Sequence, residues 1–215
     1  LENLGLTAWG EQPFALVTFH PETAGGADPV AQMQALLAAM DRTEGLHWLI
    51  TKSNADAGGR DINALWDEWA AARPDKAAAF TSLGVVRYVS ALRACALVAG
   101  NSSSGVVETP TFGVPTVNIG QRQAGRIVCG NVLCCPAEEA AIAGALATAR
   151  SPEFAAKART ARSPYNGGPT SLRMARVLEA WLNSPTLGVP KRFYDGPVPE
   201  HWKNPAEPAE EQKQA

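Results

Sequence analysis

One loop of this chain places hydroxyl groups, backbone amides and a carboxylate in an order that suits a phosphorylated ligand. The apolar run 97–99 ends at Gly100 and Asn101, three serines follow, and Gly105 leads into a helix that carries Glu108. Serine hydroxyls and backbone N–H groups at a helix start suit a diphosphate. A carboxylate one turn further along suits the two hydroxyls of a ribose. This order of groups predicts a nucleotide-sugar site.

Polar clusters also follow three other predicted strands. They are FHPET at residues 19–23, KSNADAGGR at residues 52–60 and GQRQAGR at residues 120–126. In an open parallel sheet, ligands bind beyond the carboxyl ends of the strands. We therefore expect these three clusters and the serine loop to converge on one rim of a sheet.

The sheet itself is predicted by apolar runs that alternate with residues at helical spacing. The predicted strands are 14–19, 48–51, 78–83, 97–99, 116–119 and 132–134, and the main helices are 28–41, 62–73, 86–95, 136–150, 152–160 and 169–183. This alternation predicts an α/β fold, a Rossmann-like parallel sheet with helices on both faces. Residues 1–183 form the predicted nucleotide-sugar-binding domain. Residues 184–215 shift towards Pro, Glu, Lys and Gln and form a predicted extended, partly disordered tail.

Composition limits the classes of partner. The chain has 215 residues, of which 46% are hydrophobic, so it can bury one good core. A net charge of −2 favours neither nucleic acid nor an anionic membrane as the main partner. No apolar run approaches the roughly 20 residues that span a bilayer, and the first residues lack a signal-peptide pattern. We expect a cytoplasmic protein with free thiols at its four cysteines, without a metal or a cofactor.

The stretch GNSSSGVVETPTFGVPTVNIGQRQAGR at residues 100–126 is the most specific motif, and FHPET, SNADAGG and SPYNGG accompany it in order. These motifs resemble those of the hydrolysing UDP-N-acetylglucosamine 2-epimerases of the sialic-acid pathway. The resemblance covers residues 12–183 and implies the C-terminal half of a two-domain enzyme of the GT-B type. In such an enzyme the active site is the cleft between two Rossmann-like halves. The N-terminal half, which supplies acid/base carboxylates in the family, is the expected partner across the cleft.

The resemblance also implies which residues contact a UDP-sugar substrate. Ser102 and Ser103 match the serines that contact the diphosphate, and Glu108 matches the carboxylate that accepts hydrogen bonds from the ribose. Arg122 matches an arginine at the nucleotide end, and Asn54 matches a residue near the nucleotide.

His20 matches the family's cleft histidine, which lies near the phosphate and the sugar and is implicated in catalysis. In the family reaction the bond from sugar C1 to UDP breaks while a proton leaves C2, and a glycal forms. Water then adds at C1, and protonation of C2 on the opposite face yields N-acetylmannosamine. Because His20 is the one acid/base candidate beside the serine loop, we expect this half to be inactive by itself.

Several alternatives stay open at the level of the sequence. The serines 102–104 could instead serve simply as a cap of the helix that follows, which Pro110 predicts to be short and bent. The domain could instead belong to a GT-B glycosyltransferase, or serve as a nucleotide-binding or regulatory module. An epimerase acting on a related UDP- or GDP-linked 4-amino-4,6-dideoxy sugar would carry similar residues. A homo-oligomer is a further open alternative.

Overall fold

Six parallel strands form one sheet in the computed structural model of the chain, which describes residues 2–22, 26–184 and 196–197. The strands are β1 (Phe14–Thr18), β2 (His47–Thr51), β3 (Ala77–Phe80), β4 (Leu97–Gly100), β5 (Thr116–Ile119) and β6 (Val132–Cys135). Across the sheet they stand in the order β3-β2-β1-β4-β5-β6. The direction of growth reverses between β1 and β4, so the ends of these two strands mark the switch point where ligands bind in such sheets.

Helices connect the strands and cover both faces of the sheet. Two 3₁₀ turns (Glu2–Leu4 and Thr7–Trp9) precede β1, and the α-helices are α1 (Pro29–Asp41), α2 (Gly59–Ala71), α3 (Gly84–Ala94), α4 (Ser104–Val107), α5 (Thr109–Phe112), α6 (Glu139–Ala149), α7 (Pro152–Arg159) and α8 (Thr170–Leu182). Ala15 and Val17 of β1 pack in a core shared with α1, α2 and α6, whereas Phe14 and Leu16 pack with α3 on the other face. This arrangement confirms the predicted Rossmann-like sheet.

The predicted elements are present with ends that differ by a few residues. α1 begins where the sequence predicts, because the Asp28 carboxylate caps it by accepting a hydrogen bond from Val30 N–H at 2.9 Å. α2 begins at Gly59 rather than Ile62, after Gly58 turns the chain with a φ of 83°. The short, bent element predicted from Pro110 is confirmed, since α4 and α5 are four residues each and meet at Glu108.

Two compact units divide the chain, Leu1–Gly167 and Gly168–Ala215. In the second unit, α8 has no buried side chain, and its exposed large apolar residues are Leu172, Met174, Val177, Leu178, Trp181 and Leu182. The predicted domain end at residue 183 stays a prediction, and most of the predicted tail, 184–215, lies outside the described residues. Among the helices that the structure describes, none has the length and apolar character needed to cross a membrane.

Candidate functional site

The loops after β1, β2, β4 and β5 meet at one rim of the sheet. These strands are neighbours in the order β2-β1-β4-β5, and hydrogen bonds join their loops. His20 after β1 contacts Ser53 after β2 and Asn101 after β4, and Gln123 after β5 also contacts Asn101. The polar clusters therefore converge as the strand pattern predicts.

A fully buried asparagine holds the backbone of His20. Asn101 Oδ1 accepts a hydrogen bond from His20 N–H at 2.7 Å, and Asn101 Nδ2 donates to the His20 carbonyl at 2.8 Å. The N–H of Asn101 donates in turn to the Thr18 carbonyl at 3.1 Å. These bonds satisfy backbone groups just beyond the end of β1, where the sheet ladder stops. His20 is therefore fixed relative to the serine loop.

The loop after β2 determines which nitrogen of the His20 ring carries the proton. Asn54 N–H donates to His20 Nδ1 at 3.2 Å, and Ser53 Oγ lies 3.2 Å from the same nitrogen. Because a backbone N–H can only donate, Nδ1 is the acceptor and the neutral ring is protonated at Nε2. Burial lowers the pKa of His20, and the charge of Arg122 lowers it further, against opposing effects of the Asp56 charge and of the Asn54 side chain. The ring is thus a neutral Nε2–H donor.

A second asparagine holds the loop after β2 in the same manner. Asn63 on α2 accepts from Ser53 N–H at 2.7 Å and donates to the Ser53 carbonyl at 3.2 Å. The Asn54 side chain donates instead to Asp56 Oδ2 at 2.7 Å. Asn54 therefore donates to His20 with its backbone N–H and to Asp56 with its amide.

Arg122 lies where the loops after β4 and β5 meet. Its Nη1 is 3.4 Å from the Asn101 carbonyl oxygen, and Gln123 Nε2 donates to the same oxygen at 2.8 Å. Arg122 Nη2 is 4.0 Å from Asp56 Oδ2, and both side chains are partly exposed, so this ion pair is weak. The guanidinium can therefore exchange this partner for an anionic ligand.

The first two serines of the loop do not cap α4 in the usual way. Ser103 occupies the N-cap position, but its backbone is helical and its side chain makes no capping hydrogen bond. Ser102 Oγ accepts only a long hydrogen bond from Ser104 N–H, at 3.4 Å. In the part of the chain that the structure describes, the Ser103 hydroxyl has no hydrogen-bond partner, so it is available to a ligand.

Glu108 is connected to Tyr88 through Ser104. The Tyr88 hydroxyl donates to Ser104 Oγ at 2.7 Å, and Ser104 Oγ donates to Glu108 Oε2. Burial raises the pKa of Tyr88, and the nearby Glu108 charge adds to this effect against the Ser104 hydrogen bond, so Tyr88 stays a hydroxyl donor at neutral pH. Glu108 Oε1 has no partner among the described residues and can accept from a ligand.

Two cavities adjoin these groups. Glu108 and Tyr88 line one of about 310 Å³, together with Thr51, Ser82, Leu83, Gly84, Val85 and Val89. A larger and more polar cleft of about 880 Å³ follows the loop after β2 and includes Ser53, Asn54 and Asp56. In the described segments, no group of three or more His, Cys, Asp or Glu side chains is placed to hold a metal ion.

The structure thus forms two hydrogen-bonded groups from the predicted site residues. One contains His20, Asn54 and Arg122, and the other contains Glu108. Ser102 and Ser103 lie in sequence between Asn101, which holds His20, and Ser104, which bonds Glu108. Sequence reasoning missed the residues that position these groups, which are Ser53, Asn63, Tyr88, Asn101, Ser104 and Gln123. A signal existed for Asn101, since it directly precedes the serines, whereas Tyr88 occupies an ordinary helical position.

Two curated proteins are similar in sequence to this chain. A GDP/UDP-N,N'-diacetylbacillosamine 2-epimerase (hydrolyzing) from Campylobacter jejuni is 35% identical over 118 residues, which are 55% of this chain and 31% of that protein. The polysialic acid biosynthesis protein P7 of Escherichia coli is 29% identical over 189 residues, which are 86% of this chain and 46% of that protein. The chain therefore spans about half or less of the length of these curated relatives.

Solved structures share the fold. The S. aureus MnaA-UDP co-structure aligns with a TM-score of 0.64 at 16% identity, covering 88% of this chain and 51% of that chain. UDP-GlcNAc 2-epimerase from Neisseria meningitidis bound to UDP-GlcNAc aligns with a TM-score of 0.56 at 13% identity, covering 79% and 44% of the two chains. The family model described as UDP-N-acetylglucosamine 2-epimerase matches residues 2–179. Because this match includes most of the chain, the protein belongs to the UDP-N-acetylglucosamine 2-epimerase family.

Proposed function

We propose that this chain is the UDP-binding C-terminal half of a hydrolysing UDP-N-acetylglucosamine 2-epimerase and is inactive without the N-terminal half. Family membership supports the reaction class, and the alignments that cover 46% and 51% of two longer proteins support the assignment as a half. The complete enzyme would convert UDP-N-acetylglucosamine and water to N-acetylmannosamine and UDP. Its active site would be the cleft between the two halves.

The observation that carries this proposal is the order of donors and acceptors along the rim. The His20 group offers the Nε2–H donor and the Arg122 guanidinium, and the Ser103 hydroxyl lies on the adjoining loop. Glu108 beyond it offers an unpartnered carboxylate oxygen. A diphosphate accepts hydrogen bonds and a ribose diol donates them. A nucleoside diphosphate presents the complementary groups in the same order, with acceptors on the diphosphate and donors on the ribose.

The cavity beside Glu108 is the proposed position of the base. Glu108 lines this cavity, so a ribose bound to its carboxylate would place the base against the walls formed by Leu83, Val85 and Tyr88. Apolar walls with a few polar groups are typical of sites for small ligands. The diphosphate would then extend towards His20 and Arg122.

The chemistry assigned to this half is assistance to the departing UDP. When the bond from C1 to the phosphate oxygen breaks, its electron pair stays on that oxygen and negative charge develops there. Donors from Ser102, Ser103, Arg122 and His20 Nε2 would stabilise this charge. A base in the N-terminal half would accept the C2 proton, which gives the glycal. Water then adds across the double bond of the glycal, with its hydroxyl on C1 and a proton on the opposite face of C2.

Calorimetric titration of the 215-residue chain with UDP, GDP and their sugars tests the binding proposal. We expect UDP to bind and GDP to bind more weakly, and absence of any UDP heat would contradict the proposal. Because one relative is named for a GDP/UDP-linked sugar, titration with UDP- and GDP-linked 4-amino-4,6-dideoxy sugars tests that alternative. Formation of free N-acetylmannosamine by the complete enzyme, with water as acceptor, distinguishes an epimerase from a GT-B glycosyltransferase.

A further inference from the structure

Glu22, two residues after His20, binds the backbone of the loop that carries Arg122. Glu22 Oε1 accepts hydrogen bonds from Gln121 N–H at 2.7 Å and from Arg122 N–H at 3.2 Å. Its other oxygen accepts from Gln32 Nε2 on α1 at 3.2 Å. One half-buried carboxylate thus joins the loop after β1, the loop after β5 and a helix.

This contact connects two strands that are not neighbours. β4 lies between β1 and β5 in the sheet, so no sheet ladder holds the loop after β1 to the loop after β5. Glu22 reaches past the end of β4, the strand that leads into the serine loop. It therefore couples two sides of the rim that strand pairing leaves independent.

The backbone at Gly120 leaves room for the Glu22 carboxylate. Gly120 has a φ of 76°, and a Cβ atom there would lie 2.1 Å from Glu22 Oε1. A side chain at position 120 would therefore be strained and would displace the carboxylate. Two residues later the Arg122 guanidinium lies 3.4 Å from the Asn101 carbonyl oxygen. The position of this guanidinium depends on the backbone that Glu22 holds.

We propose that Glu22 is a positioning residue, which holds the backbone of Arg122 so that the guanidinium faces the diphosphate. This inference rests on the proposed function, because that function assigns Arg122 to the nucleotide. The carboxylate acts through its acceptor geometry rather than its charge. Glu22→Gln retains one acceptor oxygen for the two N–H groups. Gln32 Oε1 is buried without a partner among the described residues, so in Glu22→Gln the Gln32 amide can rotate and accept a hydrogen bond with this oxygen from the amide at position 22.

Amide hydrogen exchange tests whether Glu22 holds the loop. In Glu22→Ala the N–H groups of Gln121 and Arg122 should exchange about tenfold faster, whereas Glu22→Gln should retain their protection. Glu68→Ala, an exposed glutamate on α2, is the matched control. Melting temperatures show whether each variant folds. Unchanged exchange in a folded Glu22→Ala variant would overturn the proposal.

Titration with UDP tests whether the held loop matters for binding. Glu22→Ala should weaken UDP about tenfold when Arg122 is present but less than about twofold in an Arg122→Ala background, since the two residues act through one contact. Glu22→Gln should bind nearly as well as the unmodified chain. Equal losses in both backgrounds would show that Glu22 does not act through Arg122 and would overturn the proposal. If the unmodified chain binds no UDP, the proposed function fails, and the exchange experiment still decides whether Glu22 holds the loop.

Discussion

The two hydrogen-bonded groups at the rim are held in different ways. Around His20, the side chains of Asn101 and Asn63 bind the backbones of neighbouring loops. Around Glu108, the hydrogen bonds connect the side chains of Tyr88, Ser104 and Glu108. Backbone contacts from amides that are buried or half-buried fix a position, whereas side chains at an exposed end retain rotational freedom. This difference suits the proposed function, in which the His20 group lies near the reacting bond and the Glu108 group at the nucleoside.

The largest expected effect concerns His20 in the complete enzyme. His20→Gln should lower turnover by about 100- to 10,000-fold, as for loss of a positioned proton donor, and should change UDP affinity much less. A coupled assay of UDP release measures turnover. His47→Gln is the control, because His47 lies at the end of β2 that is away from the rim.

The 215-residue chain without the N-terminal half should release UDP from UDP-N-acetylglucosamine only at the uncatalysed rate in the same assay. Robust turnover by this chain would contradict both the division into halves and the assignment of the other acid/base groups to the N-terminal half.

Removing the buried amide of Asn101 should be the next largest effect. Asn101→Ala leaves the N–H and the carbonyl of His20 without partners and should lower the free energy of unfolding by about 1–3 kcal/mol. Asn54→Ala, which removes an exposed amide that donates to Asp56, should cost less than about 0.5 kcal/mol. Urea denaturation measures both values. Equal losses in the two variants would show that the buried amide of Asn101 contributes no more to stability than the exposed amide of Asn54.

The Ser103 hydroxyl should matter for the ligand but not for the fold. Ser103→Ala should weaken UDP by about 1–2 kcal/mol, typical of a hydrogen bond to a charged group, with an unchanged free energy of unfolding. Ser90→Ala is the matched control, because that hydroxyl bonds a carbonyl within α3. Calorimetry measures the affinities. A loss of stability without a loss of affinity would identify Ser103 as a cap.

Glu108 should distinguish ribose from deoxyribose. The unmodified chain should prefer UDP over 2′-deoxy-UDP by about 1 kcal/mol, because one acceptor contact is lost with the 2′ hydroxyl. Glu108→Ala should bind both ligands equally, while Glu68→Ala should retain the preference. A preference that persists in Glu108→Ala would place the ribose contact elsewhere on the rim.

The smallest effect is the pH dependence of stability due to His20. Its pKa in the folded protein lies below the ordinary 6.5, so the unfolded chain binds more protons near that pH. The stabilisation from the neutral ring is therefore present above pH 6.5 and is lost as the pH falls through the folded pKa. His20→Gln should show a shallower loss of unfolding free energy over this range in urea titrations. An identical slope would mean that His20 ionises equally in both states.

The elements of the sheet and the serine loop could be predicted because their signals are local. Apolar runs of three to six residues predict buried strands, and Pro110 directly excludes a long helix after the serines. The predicted position of the polar loops also follows from a general property of parallel sheets. For these features, the residues that cause the structure are adjacent to it in the chain.

The sequence by itself determined the fold class, the rim and the residue types offered to a ligand there. Only the tertiary structure revealed that Asn101 fixes His20 across 81 positions and that Glu22 holds the Gln121 N–H across 99 positions. Such contacts depend on the strand order, which places β1 beside β4 and brings β5 within reach. No local pattern encodes that order, because it results from how the helices cover the two faces of the whole sheet.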